Sequence, residues 1–190
     1  MAERTNRRDN LVETAGRLFL QHGYDGTSVR QIAEAVGVTE AALYYHFKDG
    51  KRGLLEAVIG SQIPNLIHIV DECETAETLQ EFVVQLGERL GALNPARMEK
   101  LRWMLTEFPR MTAHEREMFH HKHLAFQQRI ASSVGRFVPD PTEARTVAAT
   151  ITCLIFGYGF LFFSLDLQSV SDLKQADIIR LFAQSLAART

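Results

Sequence analysis

Cysteine is nearly absent: the 190 residues hold two, Cys73 and Cys153, with no CxxC pair and no metal-ligand spacing around either. That excludes a disulfide-built scaffold and a cysteine zinc site, and leaves two small apolar residues suited to a reducing compartment. Proline is almost as sparse, five residues of which only Pro139 and Pro141 are neighbours, which excludes a proline-rich disordered linker. An excess of one charge is missing too. The formal net charge is -2, so nothing marks the whole chain as a polyanion binder. No alternating apolar and polar run suggests a strand. The first residues lack an apolar stretch, so no signal peptide is expected. Nucleophile elbow, P-loop, dinucleotide fingerprint, HExxH and paired-carboxylate patterns do not occur. The expectation is a chain that is not an enzyme, with no catalytic residue, cofactor or metal.

What remains is a chain of 46% hydrophobic and 23% charged residues, ample for a core, whose apolar positions recur at helical spacing. Leu11, Val12, Ala15, Leu18 and Phe19 mark a first helix closed by Gly23. Ser28-x-x-Gln31 is a capping box opening a second, with Val29, Ile32, Ala33 and Val36 inward and Gly37 ending it. Thr39 is the N-cap of a third, with Leu43 and Phe47 inward. After Lys48-Asp49-Gly50 a fourth begins near Lys51, with Pro64 placed to kink or end it. Thr78-x-x-Glu81, Asn94-Pro95, Thr112-x-x-Glu115, Asp140-Pro141 and Ser171-Asp172 open the rest, the Thr112 helix reaching about Phe137. The prediction is an all-α protein of about nine helices, divided into a head at 1–50 and a body at 51–190.

Val147–Leu165 carries no charge over nineteen residues, near the length of a membrane span. It also contains two glycines, two threonines and a serine, and no Lys/Arg cluster flanks it. A helix apolar on all sides is equally one buried on all sides in a water-soluble protein, which is the expectation here.

The second and third helices, joined by a turn at Gly37, have the form of a helix-turn-helix, whose second helix enters the DNA major groove. With Leu43 and Phe47 inward, the 3.6-residue period turns Glu40, Ala41, Tyr44 and Tyr45 outward, flanked by Ala42 and His46. Ala41 and Ala42 permit close approach to bases, and Glu40 accepts from a cytosine amino group. The tyrosines offer a flat ring and one hydroxyl to sugar or phosphate. His46 and Lys48 reach phosphates, and Thr27 and Ser28 stand at the free N–H groups of the second helix. Taken singly, an aromatic on a helix is more often structural; the combination is what points to DNA. The first eight residues add a basic arm, Arg4, Arg7 and Arg8 against Glu3.

The run GYDGTSVRQIAEAVGVTEAALYYHFKDGKRGLLEAV resembles the N-terminal DNA-binding region of the TetR family of transcriptional regulators, over roughly residues 8–60. Its FLQHGYDGTS, its IAEAVGV and its LYYHF followed by a lysine and paired leucines carry the likeness. The resemblance implies DNA contacts at Thr27, Ser28, Thr39, Glu40, Ala41, Ala42, Tyr44, Tyr45, His46 and Lys51. It also implies a homodimeric, mostly bacterial repressor whose helical body pairs through its last two helices and binds a small effector that releases DNA.

On that footing the uncharged helix meets a symmetry mate on one face and its own core on the other, through Ile151, Leu154, Gly157, Leu161, Ile178 and Phe182. A wholly intramolecular core helix is the simpler alternative. Trp103, Met104, Glu107, Phe108, Met118, Phe119, Phe126, Tyr158 and Phe162 have the makeup of a pocket for a small, largely apolar effector. Each alone is more often plain core. His114, His120, His121 and His123 raise a metal site, but no second pair completes one, and a solvated polar face is favoured. The partners expected are a pseudo-palindromic double-stranded operator, an unidentified small molecule and a second copy of the chain. A membrane is not among them, and the location expected is cytoplasmic.

Overall fold

Ser28, Thr39, Thr78 and Asp140 become N-caps, each side chain accepting a backbone N–H of the first turn it opens. A computed structural model describes residues 2–92, 103, 106–165 and 167–187. Among them run α1 (Ala2–His22), α2 (Val29–Val36), α3 (Glu40–His46), α4 (Lys51–Asp71), α5 (Leu79–Gly91), α6 (Ala113–Val134), α7 (Pro141–Tyr158) and α8 (Gln175–Ala187). Short 3-10 turns occupy Phe108–Arg110 and Leu167–Ser169. No strand occurs among the described residues, and the fold class is all-α. The start expected at Asn94-Pro95 lies outside the described residues.

Three boundaries differ from the sequence reading. α4 continues through Pro64 without a break. α6 stops at Val134 because Arg136 and Phe137 donate to the carbonyls three residues back, tightening the end. α8 starts at Gln175, not Ser171-Asp172. There the Ser171 hydroxyl accepts from Leu173 N–H and Asp177 accepts from Lys174 N–H, local bonds that compete with a longer helix. The expected uncharged helix is α7 followed by a π-helical turn at Gly159–Ser164.

Contacts divide the chain into two compact units, Met1–Gln62 with Glu99–Phe119 and Ile63–Met98 with His120–Thr190. In the first, Leu11, Ala15 and Phe19 of α1 bury with Ile32, Ala33, Leu43 and Phe47, inward positions the periodicity assigned, and with Leu54 and Val58 of α4. Trp103 stacks on Phe19 at 5.7 Å between ring centres. In the second, Phe82, Val83 and Leu86 of α5 bury with Phe126, Ile130, Ile151, Ile155 and Ile179. α5 and α8 approach closely at Gly87, where a Cβ would come within 2.6 Å of Ile179.

The turn after α4 is held ionically. Glu74 accepts from Arg129 and Ser133 on one oxygen, at 2.9 and 2.5 Å, and from Arg136 on the other at 2.9 Å. Lys51–Asp71 and Pro141–Phe162 are both long and apolar enough to cross a membrane; the first of these escaped the sequence reading.

Candidate nucleic-acid interface

Every member of the helix-turn-helix is fixed by a local bond. Ser28 Oγ accepts from Gln31 N–H at 3.2 Å, while Ser28 N–H donates to Gln31 Oε1 at 2.7 Å, so the reciprocal capping box forms. Gly37 adopts φ +75°, a left-handed conformation that strains an L side chain, and Val38 N–H reaches back to Ala33 carbonyl at 2.9 Å. Thr39 Oγ1 then accepts from Ala42 N–H at 3.2 Å to open α3. The turn into α4 passes through Gly50 at φ +57°.

This frame orients α3 as the periodicity requires. Leu43 and Phe47 are buried, while Glu40, Ala41, Tyr44, Tyr45 and Lys48 are exposed, with Ala42 and His46 between. The two tyrosines differ. Tyr44 is 46% exposed and lies over the turn, where a Cβ at Gly50 would come within 2.9 Å of its Cε1. Tyr45 is 66% exposed, its ring edge-on to His46. Tyr44 is therefore half packing and half display, and Tyr45 is the more displayed of the pair.

Two expected contact residues are engaged within the protein. Thr27 is 2% exposed, and its hydroxyl donates to the Leu18 and Gly23 carbonyls, at 3.2 and 2.9 Å, satisfying the end of α1. As a direct phosphate ligand Thr27 is withdrawn; its hydroxyl closes a helix. Lys51 Nζ donates to the Tyr24 carbonyl at 3.0 Å and stands 4.3 Å over the Tyr24 ring, half-buried. Beside it Arg52 pairs with Glu115 at 3.2 Å. Glu115 is 3% exposed, and it also accepts from Thr112 N–H and Oγ1, each at 2.7 Å. Burial first, and then the Glu115 carboxylate, push the Tyr24 phenol above its ordinary value, with Arg52 pulling the other way. Sequence reasoning missed this cluster, since Arg52 and Glu115 stand far apart in the chain.

The model describing bacterial regulatory proteins of the tetR family matches residues 11–58. Over those residues the chain matches that family. The matched segment runs from the first core position of α1 to Val58 of α4 and so contains the whole helix-turn-helix. The repressor AcnR of Corynebacterium glutamicum is 34% identical over 76 residues, 40% of each chain. The negative regulator IcaR of the biofilm operon icaADBC in Staphylococcus aureus is 43% identical over 49 residues, 26% of each chain. The chain thus spans two fifths or less of these two curated relatives. The fold extends further: a TetR family transcriptional regulator, PfmR from Thermus thermophilus, superposes over 93% of both chains with TM-score 0.69 at 18% identity.

Beyond the helix-turn-helix, the residues expected at an effector pocket are divided between the two units. Trp103, Glu107, Phe108, Met118 and Phe119 belong to the first unit, and Phe126, Tyr158 and Phe162 to the second. Phe108 meets Phe119 edge-on at 5.3 Å, and Glu107 pairs with Arg110 at 3.4 Å. Trp103 is buried, and its indole N–H has no hydrogen-bond partner among the described residues. Tyr158 stacks on Phe162 at 4.2 Å and donates its hydroxyl to Leu173 carbonyl at 3.0 Å. Phe126 is wholly enclosed core, and Met104 lies outside the described residues.

The surface expected at a dimer interface is sorted more sharply. Ile151 is enclosed by its own chain and offers nothing to a second copy, because it occupies the inward face of α7 with Val147 and Ile155. Leu154, Gly157, Ile178 and Phe182 are half-buried and Leu161 is exposed. Of the histidines, burial lowers the pKa of His123, and His120 lowers it further. Among the described residues no three metal-ligating side chains converge.

Proposed function

We propose that this TetR-family chain is a cytoplasmic, sequence-specific transcriptional repressor, without enzymatic activity, that binds a pseudo-palindromic operator as a homodimer and leaves it when a small, largely apolar effector binds the body. The observation that carries the reading is the two-sidedness of α3. Leu43 and Phe47 lock one face into the core while Ala41, Tyr44 and Tyr45 stand out on the other. Small residues let that helix approach base edges, and ring hydroxyls reach the backbone on either side. Ser28, Thr39 and His46 sit at the margins of the same surface, and Glu40 sets base preference.

Dimerisation is supported by the apolar surface of the second unit, where Phe160, Leu161, Leu165, Leu173 and Leu181 are exposed. A Cβ at Gly157 meets nothing within 4 Å, so its own chain does not require glycine there. Exposed apolar side chains of this kind fit the interface of an isologous pair. Effector binding then shifts a population between head spacings that do and do not match the half-sites.

Selection of bound duplexes from a random pool, repeated with candidate lipophilic ligands, tests the reading. The expected result is a two-fold-related motif bound at least ~10³ times better than random sequence and lost in the presence of one ligand class. Enrichment of no motif overturns the repressor in favour of nonspecific binding or protein interaction. A motif unaffected by any ligand removes the effector alone.

A further inference from the structure

The basic arm at the start of the chain has no part in the interface derived so far. It is not a free tail. α1 begins at Ala2, so the arm is the first two turns of a helix whose later turns are core. Of its basic residues, Arg7 and Arg8 are described and lie at adjacent positions of that helix. Arg8 fixes where its own end of the arm is held. Its guanidinium stands 5.1 Å from the centre of the Phe47 ring. Phe47 directly follows α3, between His46 and Lys48, so the α1 arm is fastened to the end of the recognition helix.

Arg7 and Arg8 differ from Arg30 and Arg52. Arg30, on α2, is paired with Glu34 at 2.8 Å, and Arg52 with Glu115. Among the described residues Arg7 and Arg8 have no ion-pair partner, and both are exposed. A stacked guanidinium keeps its N–H edges available for other partners, because the ring takes only the face of the plane. Thr27 and Lys51, two of the expected backbone contacts, are engaged by protein carbonyls, which leaves a larger share of phosphate contact to other groups of the head.

We propose that the helical arm is a second DNA contact, in which Arg7 and Arg8 grip the phosphate backbone beside the α3 groove and add affinity without sequence preference. The proposal rests on the DNA-binding reading above. Phosphate contacts position a protein but carry no base information, so the arm holds the register in which Tyr45 and Ala41 read.

The salt dependence of binding by the full-length dimer tests it, on a selected sequence and on random duplex. Each phosphate contact contributes about 0.9 to the slope of log affinity against log salt. The variant carrying both Arg7→Ala and Arg8→Ala is expected to lose roughly 1.8 from that slope, with affinity for both duplexes falling by the same factor. Arg8→Lys, which keeps the charge, retains the slope. Arg7 is exposed, and Arg7→Ala alone is expected to lose about half of the double variant's effect, so a fold defect at Arg8 cannot mimic the result. An unchanged slope in the double variant overturns the proposal, and so does a loss confined to the selected sequence. A wild-type protein that binds no duplex overturns the parent reading, an outcome distinct from both.

Discussion

The first unit exposes Tyr44 and Tyr45, rings that end in hydroxyls, whereas the second exposes Phe160, Leu161, Leu165, Leu173 and Leu181, which end in carbon. Both sets are large side chains left outside a core, and Tyr44, Tyr45 and Leu181 stand on helices whose opposite faces are buried. Their chemistry separates the partners they suit. A phenol keeps a donor and an acceptor for a hydrated, charged surface such as a DNA backbone, while leucine and phenylalanine gain only by excluding water. Two helices can thus look equally amphipathic by periodicity and yet face different partners, and the atom at the tip of the exposed residue makes the distinction.

The strongest way to break this comparison is a charge in the aliphatic patch. Leu181 is 69% exposed in the single chain, so Leu181→Glu leaves the core of the second unit intact. If α8 pairs with a second copy, the carboxylate is buried unpaired, a change that costs about 3–5 kcal/mol. Sedimentation equilibrium is expected to show the dimer weakened by a factor on the order of 10² or more, with the melting of the monomer unchanged. A dimer that survives the charge would place the interface on another face.

Within the first unit, Leu43 and Tyr45 are two positions apart on α3 and should fail in opposite ways. Leu43→Ala removes a fully buried side chain and is expected to lower stability by about 2–5 kcal/mol, read from urea unfolding. Tyr45→Ala should leave stability within about 0.5 kcal/mol of wild type, as surface changes do. Its operator affinity should drop by about 1–3 kcal/mol, on the order of tenfold to a hundredfold. Equal loss of stability by both variants would make Tyr45 a packing residue and sink the display argument.

That division was legible in the sequence, because the period of 3.6 sorts Leu43 and Phe47 from Tyr44 and Tyr45 without coordinates. So were the caps at Ser28 and Thr39, whose residue types and spacing state their bonds. Thr27 was not legible in the same way. A threonine before a capping serine reads as a phosphate ligand until the carbonyls of Leu18 and Gly23 are seen to take its hydroxyl. Ile151 shows the same limit on an all-apolar helix, where periodicity finds no polar face and so cannot say which side turns inward. The Arg52–Glu115 pair joins distant segments, and only packing reveals it.

The second unit has its own ionic test. Hydrogen bonding from Ser133 leads the effects that hold the Glu74 carboxyl below its ordinary value, aided by Arg129 and Arg136 against a desolvation penalty. A depressed folded-state pKa means stability that is present above the usual carboxylate range and lost as pH falls through the depressed value. Glu74 is also about a third exposed, so solvent screens its ion pairs. Glu74→Gln is expected to lower stability by about 1 kcal/mol at neutral pH, with the gap to wild type closing in acid. Melts at several pH values read this directly, and a gap that stays constant with pH would assign the loss to shape and not to charge.

The smallest expected effect sharpens the comparison most finely, because Ser28 stands at both a helix end and the expected DNA surface. Its hydroxyl oxygen accepts from Gln31 N–H while the side chain remains exposed. Ser28→Ala removes the cap and is expected to cost about 1 kcal/mol of stability, whereas Ser28→Gly costs only a few tenths, about 0.3 kcal/mol. Neither variant has the hydroxyl. If the side chain touches phosphate, both lose operator affinity alike despite their unequal stabilities. If it serves α2 alone, affinity follows stability, and the glycine variant binds nearly as well as wild type. Thermal melts and operator titrations of the two variants therefore separate the cap from the contact at one atom, which a single substitution cannot do.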